Sequence, residues 1–261
     1  MRIGNIFKSL RLFHSIMLEY GVERQKFFDI VNYQILQSEA KNAHFAAFSK
    51  YKGMYKGKNV AVIGSGPTLD KWECPNDCIQ IGVNATFLAQ NVNLDFLFIQ
   101  DYVPNLFNLL AKKGADNNHC EKFFGCHYYP DCPPIPEFVL DEFKAKRYFF
   151  YNLPYYTFPF DFPLDISTSP FIIYGSTIHV AAQFALYTHP EKLYIVGCDC
   201  NSGHFSSHKE KISNSDVACL KEIITGWKKF SSFAKAFYPD VKIVCVNPVG
   251  LKGVFIDEYT E

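Results

Sequence analysis

Short, continuous runs of apolar and β-branched residues alternate along the chain with longer segments of helical periodicity. Runs of this kind are typical of strands that are buried on both faces of a parallel sheet. They occupy residues 59–63, 79–83, 96–99, 193–197 and 241–246, and helical segments are predicted near 176–187 and 216–237. This alternation predicts an α/β domain built on a doubly wound, mostly parallel sheet of the Rossmann-like type.

Residues 1–57 follow a different pattern and are predicted to form an N-terminal helical arm. Apolar side chains recur at helical spacing over residues 6–17, beside three basic residues, and a second helical stretch covers about 23–48. A basic, glycine-containing linker then leads into the α/β domain, residues 58–261. The arm is either a membrane-surface or partner helix, or a helical pair that packs on the domain behind it.

Between about 123 and 170 the alternation breaks, and proline and aromatic residues dominate. Proline at this density is expected to prevent long helices and central strands. A long excursion inside a compact domain is usually a lid or a binding subdomain, and the many aromatic residues argue against disorder. We therefore expect an aromatic and proline-rich lid, which either covers a substrate or simply shields the sheet.

Composition narrows the class of protein. With 26 Lys and Arg against 26 Asp and Glu, the chain has no net charge, which argues against nucleic acid as its main partner. Nine cysteines without a recognisable signal peptide predict reduced thiols and a cytoplasmic protein, and no apolar run is long enough for a transmembrane helix. The cysteines do not form paired C-x2-C knuckles, so we expect no structural metal.

The first candidate for chemistry is the turn after the first predicted strand, Gly64-Ser65-Gly66-Pro67-Thr68. Its two glycines permit a tight turn and a close approach of the backbone to a ligand, and its proline suits the first turn of a helix. The free N–H groups of that helix start, with the hydroxyls of Ser65 and Thr68, would bind a phosphate. The turn lacks the Walker A lysine and the third glycine of the dinucleotide fingerprint, and an ordinary strand-to-helix turn is the alternative.

Polar residues also follow the next predicted strands. Asn84 and Asp101 stand at the carboxyl ends of the second and third strands, where open α/β sheets bind ligands, although either residue could instead cap a helix or a loop. The segment Gly175-Ser176-Thr177 precedes a strongly apolar helix. We expect the start of this helix to face the phosphate site as well.

The loop after the predicted strand 193–197 supplies the catalytic candidates. Asp199 falls just beyond this strand, and His204 and His208 follow on the same loop. An imidazole at the ligand edge of the sheet can act as a general base near neutral pH, whereas a surface histidine elsewhere is usually idle. We therefore assign Asp199, His204 and His208 as catalytic candidates.

Together these motifs resemble those of the small bacterial lipooligosaccharide sialyltransferases, glycosyltransferase family forty-two. They are also similar to those of polysaccharide-cluster proteins related to hydroxymethylpterin pyrophosphokinase. The resemblance covers about residues 59–251 and is carried by the segments 63–69, 83–84, 175–177, 194–199 and 245–248. It implies a GT-A-variant fold, a CMP-sugar donor, a glycan acceptor and an inverting transfer that needs no cofactor.

The resemblance also implies roles for individual residues. His204 or His208 would be the general base. The family's tyrosine pair, which stabilises the departing phosphate, has no counterpart here, because Cys200 and Asn201 stand in that place. From the residues and the resemblance together, the groups expected to bind the donor nucleotide are Gly64, Ser65, Gly66, Thr68, Asn84, Asp101, Gly175, Ser176 and Thr177.

Without that tyrosine pair, the leaving phosphate needs another source of stabilisation. Tyr155 or Tyr156 from the predicted lid could supply hydrogen bonds, or Asp101 and Asp199 could hold a Mg²⁺. The second route would suit a Mg²⁺-dependent pyrophosphokinase.

The sequence thus favours an inverting glycosyltransferase that moves a sugar, such as sialic acid or a related nonulosonate, from a CMP donor to a lipopolysaccharide or capsule glycan. We expect it to work as a homo-oligomer at the cytoplasmic face of the membrane. A pyrophosphokinase and a non-catalytic nucleotide-binding module are the alternatives.

Overall fold

The computed structural model describes residues 24–113, 119–126, 135–152, 162–201, 203–206 and 214–260. The strands within these residues are β1 (Asn59–Ile63), β2 (Ile79–Val83), β3 (Phe96–Ile99), β4 (Glu121–Cys126), β5 (Lys146–Asn152), β6 (Phe171–Ile173), β7 (Lys192–Val196), β8 (Lys242–Val246) and β9 (Ile256–Glu258). They form one sheet in the order β6-β5-β4-β3-β2-β1-β7-β8-β9, and every neighbouring pair is parallel. Strands β2 to β6 lie on one side of β1 and strands β7 to β9 lie on the other, which confirms the predicted doubly wound sheet.

Helices cover both faces of this sheet. The described α-helices are α1 (Arg24–Phe48), α2 (Pro104–Lys113), α3 (Glu137–Phe143), α4 (Ile178–Tyr187) and α5 (Asn214–Phe237). Short 3₁₀ helices at Ser49–Tyr51, Pro67–Lys71 and Asn84–Leu88 follow α1, β1 and β2. Residues of α1, α4 and α5 belong to the core on one face, and residues of α2 and α3 belong to the core on the other.

The central strands are buried on both faces, as their continuous apolar sequences predict. In β1, Val60 and Val62 belong to the core under α1, α4 and α5, whereas Ala61 and Ile63 belong to the core under α2 and α3. Successive side chains on a strand point to opposite faces. An unbroken apolar run therefore fits a strand that has helices on both sides.

Much of the chain's aromatic content lies in the first of these cores. Phe48 of α1, Phe98 of β3, Phe123 of β4 and Phe184 of α4 are all fully buried. Their ring centroids lie between 4.8 and 6.5 Å apart. Aromatic pairs at such distances contribute about 0.5–1.5 kcal/mol beyond the burial of their area. These rings therefore fasten α1 and α4 to the sheet.

A buried glutamine completes the edge of the sheet at β6. The side-chain amide of Gln183 donates to the carbonyl oxygen of Ile172 (2.6 Å), and the Ile172 N–H donates to Gln183 Oε1 (3.1 Å). The amide thus pairs with β6 as the backbone of a further strand would, and both polar groups of a buried residue are satisfied. Because Gln183 lies on α4, the same contact fixes that helix against the sheet edge.

All five strands predicted from the sequence are present, with ends that differ by at most one residue, and the two predicted helices correspond to α4 and α5. The stretch from 123 to 170 differs from the prediction that it lacks central strands. Its described part completes β4, forms α3 and β5, and buries Tyr148 and Phe150 in the core. Five of its eight prolines fall in 127–134 and 153–161, which lie outside the described residues, so the strand segments themselves are free of proline. The lid predicted for about residues 123–170 stays a prediction.

The described part of the N-terminal arm packs on the domain. Leu36, Ala40 and Phe48 of α1 are buried in the core. The ring of His44, also fully buried, donates from Nδ1 to the carbonyl oxygen of Ile166 (2.8 Å) and accepts the Phe149 N–H at Nε2 (2.7 Å).

Helix α1 therefore packs on the α/β domain. Residues 1–23, which carry the basic amphipathic pattern, lie outside the described residues. Among the described helices, none is long and apolar enough to cross a bilayer.

The buried His44 is expected to make the fold sensitive to mild acid. Burial lowers the pKa of His44 from 6.5 to about 4. The stability that comes from keeping this ring neutral is fully present above pH 6.5 and is lost as the pH falls toward 4, because the unfolded chain takes up the proton first. Between about pH 7 and pH 5 the loss amounts to roughly 2 kcal/mol in the free energy of unfolding.

Urea denaturation at the two pH values measures this loss. His44→Gln keeps a donor and an acceptor but cannot take up a proton, so its stability should fall less than that of the wild type. His119→Gln, which changes an exposed histidine, is the control and should behave like the wild type. An equally steep loss in His44→Gln would assign the acid sensitivity to other groups.

Candidate functional site

A cavity of about 540 Å³ opens at the carboxyl edge of the sheet. It lies beside the ends of β1 and β7, the neighbouring strands between which the order of connection reverses. This is where open α/β sheets bind ligands, and the volume is typical of a small-ligand pocket. The residues from the strand ends and from the start of α4 that line it include Gly64, Ser65, Gly66, Asn84, Asp101, Gly175, Ser176, Asp199 and His204.

At Gly64 and Gly197 the loops after β1 and β7 lie so close together that neither position has room for a side chain. The Gly64 N–H donates to the carbonyl oxygen of Val196 (2.8 Å), and the Gly66 N–H donates to that of Gly197 (2.7 Å). A Cβ atom on Gly64 would lie 2.6 Å from the Gly197 oxygen, and Gly197 itself has a φ of +60°. Only glycine fits both the approach and the left-handed backbone. Gly64 and Gly66 were predicted to let a ligand approach the backbone. The structure shows that both are needed for the contact between these two loops.

Asp199 closes this contact from the β7 side. Its Oδ2 accepts the backbone N–H of Thr68 (2.9 Å), and its Oδ1 accepts the Thr68 hydroxyl. The side chain is buried, with 3% of the residue exposed. A buried carboxylate needs such donors, and these two come from the start of a 3₁₀ helix. Asp199, predicted as a catalytic residue, thus has a structural role that the sequence did not reveal.

The sequence predicts that a helix with free N–H groups at its start follows the glycine turn. The structure has a short 3₁₀ helix there instead, and the N–H of Thr68 is engaged by Asp199. The 3₁₀ helix ends at Lys71, because the backbone becomes extended at Trp72, whose side chain is buried in the core. Thr68 gives both its N–H and its hydroxyl to Asp199. Of the two predicted phosphate-binding hydroxyls, Ser65 lines the cavity and Thr68 acts behind it.

The end of β2 is shaped by Asn84, whose φ is +46°. Left-handed backbone is uncommon outside glycine, and asparagine tolerates it better than most residues. The Asn84 Nδ2 donates to Thr177 Oγ1 (3.4 Å), and Asn84 Oδ1 accepts the Gln100 N–H (3.4 Å). The Thr177 hydroxyl donates to Gln100 Oε1 (3.1 Å). These contacts orient the amide of Asn84 at the cavity wall and place Thr177 one layer behind it.

Helix α4 begins at the cavity. Gly175, with a φ of +68°, turns the chain after β6, and its N–H donates to Asn152 Oδ1 (3.0 Å). Ser176 Oγ accepts the N–H of Ile178 (3.5 Å), and these two residues line the cavity together with Gly175. The positive end of the helix dipole therefore faces the cavity, which favours an anion there.

His204 is held at the cavity by its neighbours in the chain. Phe205 is buried, and its N–H donates to the carbonyl oxygen of Ser65 (3.0 Å). Gly203 lies against Pro67, where a Cβ atom would come within 2.9 Å of the proline Cγ. His204 stands between these two contacts and lines the cavity next to the glycine turn.

One wall of the cavity is apolar and was not predicted from the sequence. Its α5 residues follow the spacing i, i+1, i+4 and i+8, which places them on one face of a helix. In a sequence such a face is normally taken as core. The indole N–H of Trp227 is buried and has no hydrogen-bond partner among the described residues. The residues of this wall are Cys219, Leu220, Ile223 and Trp227, and Val103 and Leu106, near the start of α2, are further apolar lining residues.

The cavity is poor in positive charge. Its described lining contains the carboxylates of Asp101 and Asp199 and neither lysine nor arginine. No three His, Cys, Asp or Glu side chains in the described part of the chain are grouped so that they could hold a metal ion. A Mg²⁺ held by one or two carboxylates and a ligand's phosphates does not require such a group, so the predicted Asp101–Asp199 magnesium site stays a prediction.

Two of the cysteines at the cavity are protonated thiols near neutral pH. Burial raises the pKa of Cys198 well above its usual value and that of Cys200 to about 12. The thiolate is the reactive form of cysteine. Neither residue is therefore a suitable nucleophile, and both serve as cavity wall.

Of the twelve residues predicted for the site, nine line the cavity and two, Thr68 and Thr177, stand directly behind it. The twelfth, His208, lies outside the described residues, as do Tyr155 and Tyr156. The predictions made from separate strand ends thus converge on one place in the fold.

The solved structures that are similar to part of this chain include two of glycosyltransferases. The Maf glycosyltransferase of Magnetospirillum magneticum AMB-1 matches 86% of this chain at 14% identity with a TM-score of 0.44, and the match spans only 38% of its length. The sialyltransferase CST-II, crystallised in complex with CMP, matches 72% of this chain and 81% of its own at 14% identity, with a TM-score of 0.41. No family model matches the chain, and neither does any curated sequence. Likeness at this level says nothing about the substrate of this chain.

The contact between Thr68 and Asp199 is expected to stabilise the fold. Thr68→Val removes the hydroxyl at nearly constant volume and leaves a buried carboxylate one hydrogen bond short, which costs about 1–3 kcal/mol. Thr68→Ser keeps the hydroxyl and is the matched control, with an expected loss below about 0.8 kcal/mol for one methyl group. Urea denaturation measures both variants. A Thr68→Val protein as stable as Thr68→Ser would show that Asp199 does not depend on this bond.

Proposed function

We propose that the protein is an inverting glycosyltransferase that moves a sugar from a nucleotide donor to a hydroxyl of a glycan. The observation that carries this proposal is the convergence of different polar groups on one cavity at the strand ends. The glycine turn and the start of α4 can bind a phosphate, the amide after β2 can recognise a nucleoside, and the imidazole after β7 can remove a proton. Sugar transfer from a nucleotide needs these three functions together.

The donor phosphate is proposed to bind near Ser65, Ser176 and the first turn of α4. Hydroxyl groups, backbone N–H groups and the helix dipole favour negative charge there without any lysine or arginine. The nucleoside is proposed to lie beside Asn84, whose oriented amide can offer both a donor and an acceptor. The apolar wall from α5 gives the base or the sugar a surface to pack against.

The acidic lining of the cavity disfavours a donor of high negative charge. Asp101 and Asp199 are the acidic residues of the described lining, and neither lysine nor arginine balances them there. Each further negative charge on the ligand would raise the repulsion in a partly enclosed, low-dielectric site. A CMP-sialic acid donor carries one phosphate and one carboxylate charge, and a UDP-hexose carries two phosphate charges, so the acidic lining does not distinguish these two donors and disfavours only more highly charged nucleotides.

His204 is the proposed general base. It takes the proton of the acceptor hydroxyl while that oxygen attacks the anomeric carbon, and the bond to the nucleotide phosphate breaks with its electron pair. A single displacement of this kind inverts the configuration at the anomeric carbon. His204 is preferred to Asp199 because the carboxylate oxygens of Asp199 are engaged by Thr68.

For the transferred sugar, the proposal follows the resemblance of the sequence motifs. The donor sugar is sialic acid or a related nonulosonate, and the acceptor is a cell-surface glycan of the lipopolysaccharide or capsule type. The proposed place of action is the cytoplasmic side of the membrane.

Nucleotide binding tests the donor. In thermal-shift measurements, CMP is expected to stabilise the protein more than UDP or ATP, because a ligand that binds only the native state stabilises it by mass action. Asn84→Asp replaces the amide by an isosteric carboxylate and should remove most of the CMP shift, whereas Asn76→Asp, at an exposed position, should not. A shift with ATP that requires Mg²⁺ would favour the pyrophosphokinase instead. A protein that responds to none of the three nucleotides would contradict the proposal.

Turnover tests the base. With CMP-sialic acid and a glycan acceptor, His204→Ala is expected to lower the rate of transfer by roughly 10²–10⁴-fold while CMP binding persists, since general-base catalysis contributes that much. His119→Ala removes an exposed histidine and should leave the rate unchanged. If His208→Ala loses activity and His204→Ala does not, the assignment passes to His208.

A further inference from the structure

A carboxylate outside the cavity holds the loop that carries His204. Asp70 lies in the 3₁₀ helix Pro67–Lys71, and its oxygens accept the N–H of Ser206 (2.9 and 3.2 Å). Asp70 Oδ1 also accepts the Ser206 hydroxyl (3.0 Å). One carboxylate thus makes three contacts with one residue that lies 136 positions further along the chain and two positions beyond His204.

The same loop meets the same segment at two other points. The Phe205 N–H donates to the Ser65 carbonyl oxygen, and the Phe205 ring is buried in the core under α2 and α3. Gly203 lies against Pro67. All three attachments are made to residues 65–70, the segment that also presents Ser65 to the cavity. The loop and the glycine turn therefore behave as one unit, with His204 between its points of attachment.

We infer that Asp70 is a positioning residue, which fixes His204 relative to the phosphate-binding turn. This inference rests on the proposed function. Phe205 holds the loop at one buried point, and the bonds from Asp70 to Ser206 add a second point that prevents rotation about the first. A general base acts only within hydrogen-bond reach of the proton that it removes, and a displacement of about 1 Å can cost on the order of 100-fold in rate.

Because Asp70 is exposed, its effect on the position of His204 can be distinguished from an effect on the stability of the fold. Both Asp70 and Ser206 are exposed, and polar contacts between exposed side chains contribute little to the stability of a fold. Loss of the Asp70 carboxylate should therefore leave the protein folded while it disturbs the position of His204.

Steady-state kinetics of CMP release from CMP-sialic acid test the inference. Asp70→Ala is expected to lower kcat by roughly 10- to 100-fold and to change the KM for the donor by less than about twofold, because the groups that bind phosphate and nucleoside are unaltered. Asp70→Asn keeps the shape and one acceptor oxygen and should recover part of the rate. Glu73→Ala removes an exposed carboxylate three positions further on and should match the wild type.

A double-variant cycle shows whether Asp70 acts through His204. In the His204→Ala background, Asp70→Ala should cause no further loss, because the group that it positions is gone. Losses that multiply in the double variant would show that Asp70 acts independently of His204 and would overturn the inference.

Amide hydrogen exchange over residues 203–206 tests the positioning without any turnover. Asp70→Ala should speed exchange there, because the Ser206 N–H loses its acceptor, and Glu73→Ala should not. Unchanged exchange in Asp70→Ala overturns the inference even if the enzyme is active. Faster exchange in a protein whose wild type turns over no nucleotide sugar would instead refute the proposed function and leave the attachment of the loop by Asp70 in place.

Discussion

The candidate site depends on the close contact between the ends of β1 and β7. Gly64 and Gly197 let two backbones meet where any side chain would force them apart. That approach brings Asp199 to Thr68, and the bonds between them fix the short helix after the turn. The loop of His204 is in turn attached to this turn and helix. A contact between two strand ends thus determines where a hydroxyl, an imidazole and a helix start stand relative to one another.

The polar residues at the strand ends could be predicted because their position is a local property of the sequence. Asn84 follows an apolar run directly, and the carboxyl ends of parallel strands necessarily share one edge of the sheet. The roles of Thr68 and Asp199 could not be predicted in this way, since their bonds join positions 131 residues apart. Sequence spacing shows that both residues lie near a ligand edge, but not that each satisfies the other.

Two larger features were hidden for different physical reasons. The strands β4 and β5 contain no proline, but clusters of proline flank them in the sequence. The composition of the whole stretch therefore hides the two strands from prediction. The apolar face of α5 has the spacing of an ordinary core helix. The sequence therefore does not indicate that Ile223 and Trp227 border a cavity. Composition and periodicity report that a side chain is shielded from water, but they do not report whether protein or ligand shields it.

The side chain of Gln183 also affects how two molecules of this protein can meet. A sheet edge with unpaired N–H and C=O groups is a template for a strand from another chain. At β6 the amide of Gln183 already occupies the groups of Ile172, whereas β9 has no neighbour on its outer side among the described strands, and Ile256 there is 52% exposed. With β6 capped and β9 open among the described strands, this sheet can recruit one partner at β9, because the joined pair then has no open edge left among those strands. Edge-to-edge contact would therefore end in closed pairs and could not extend into filaments.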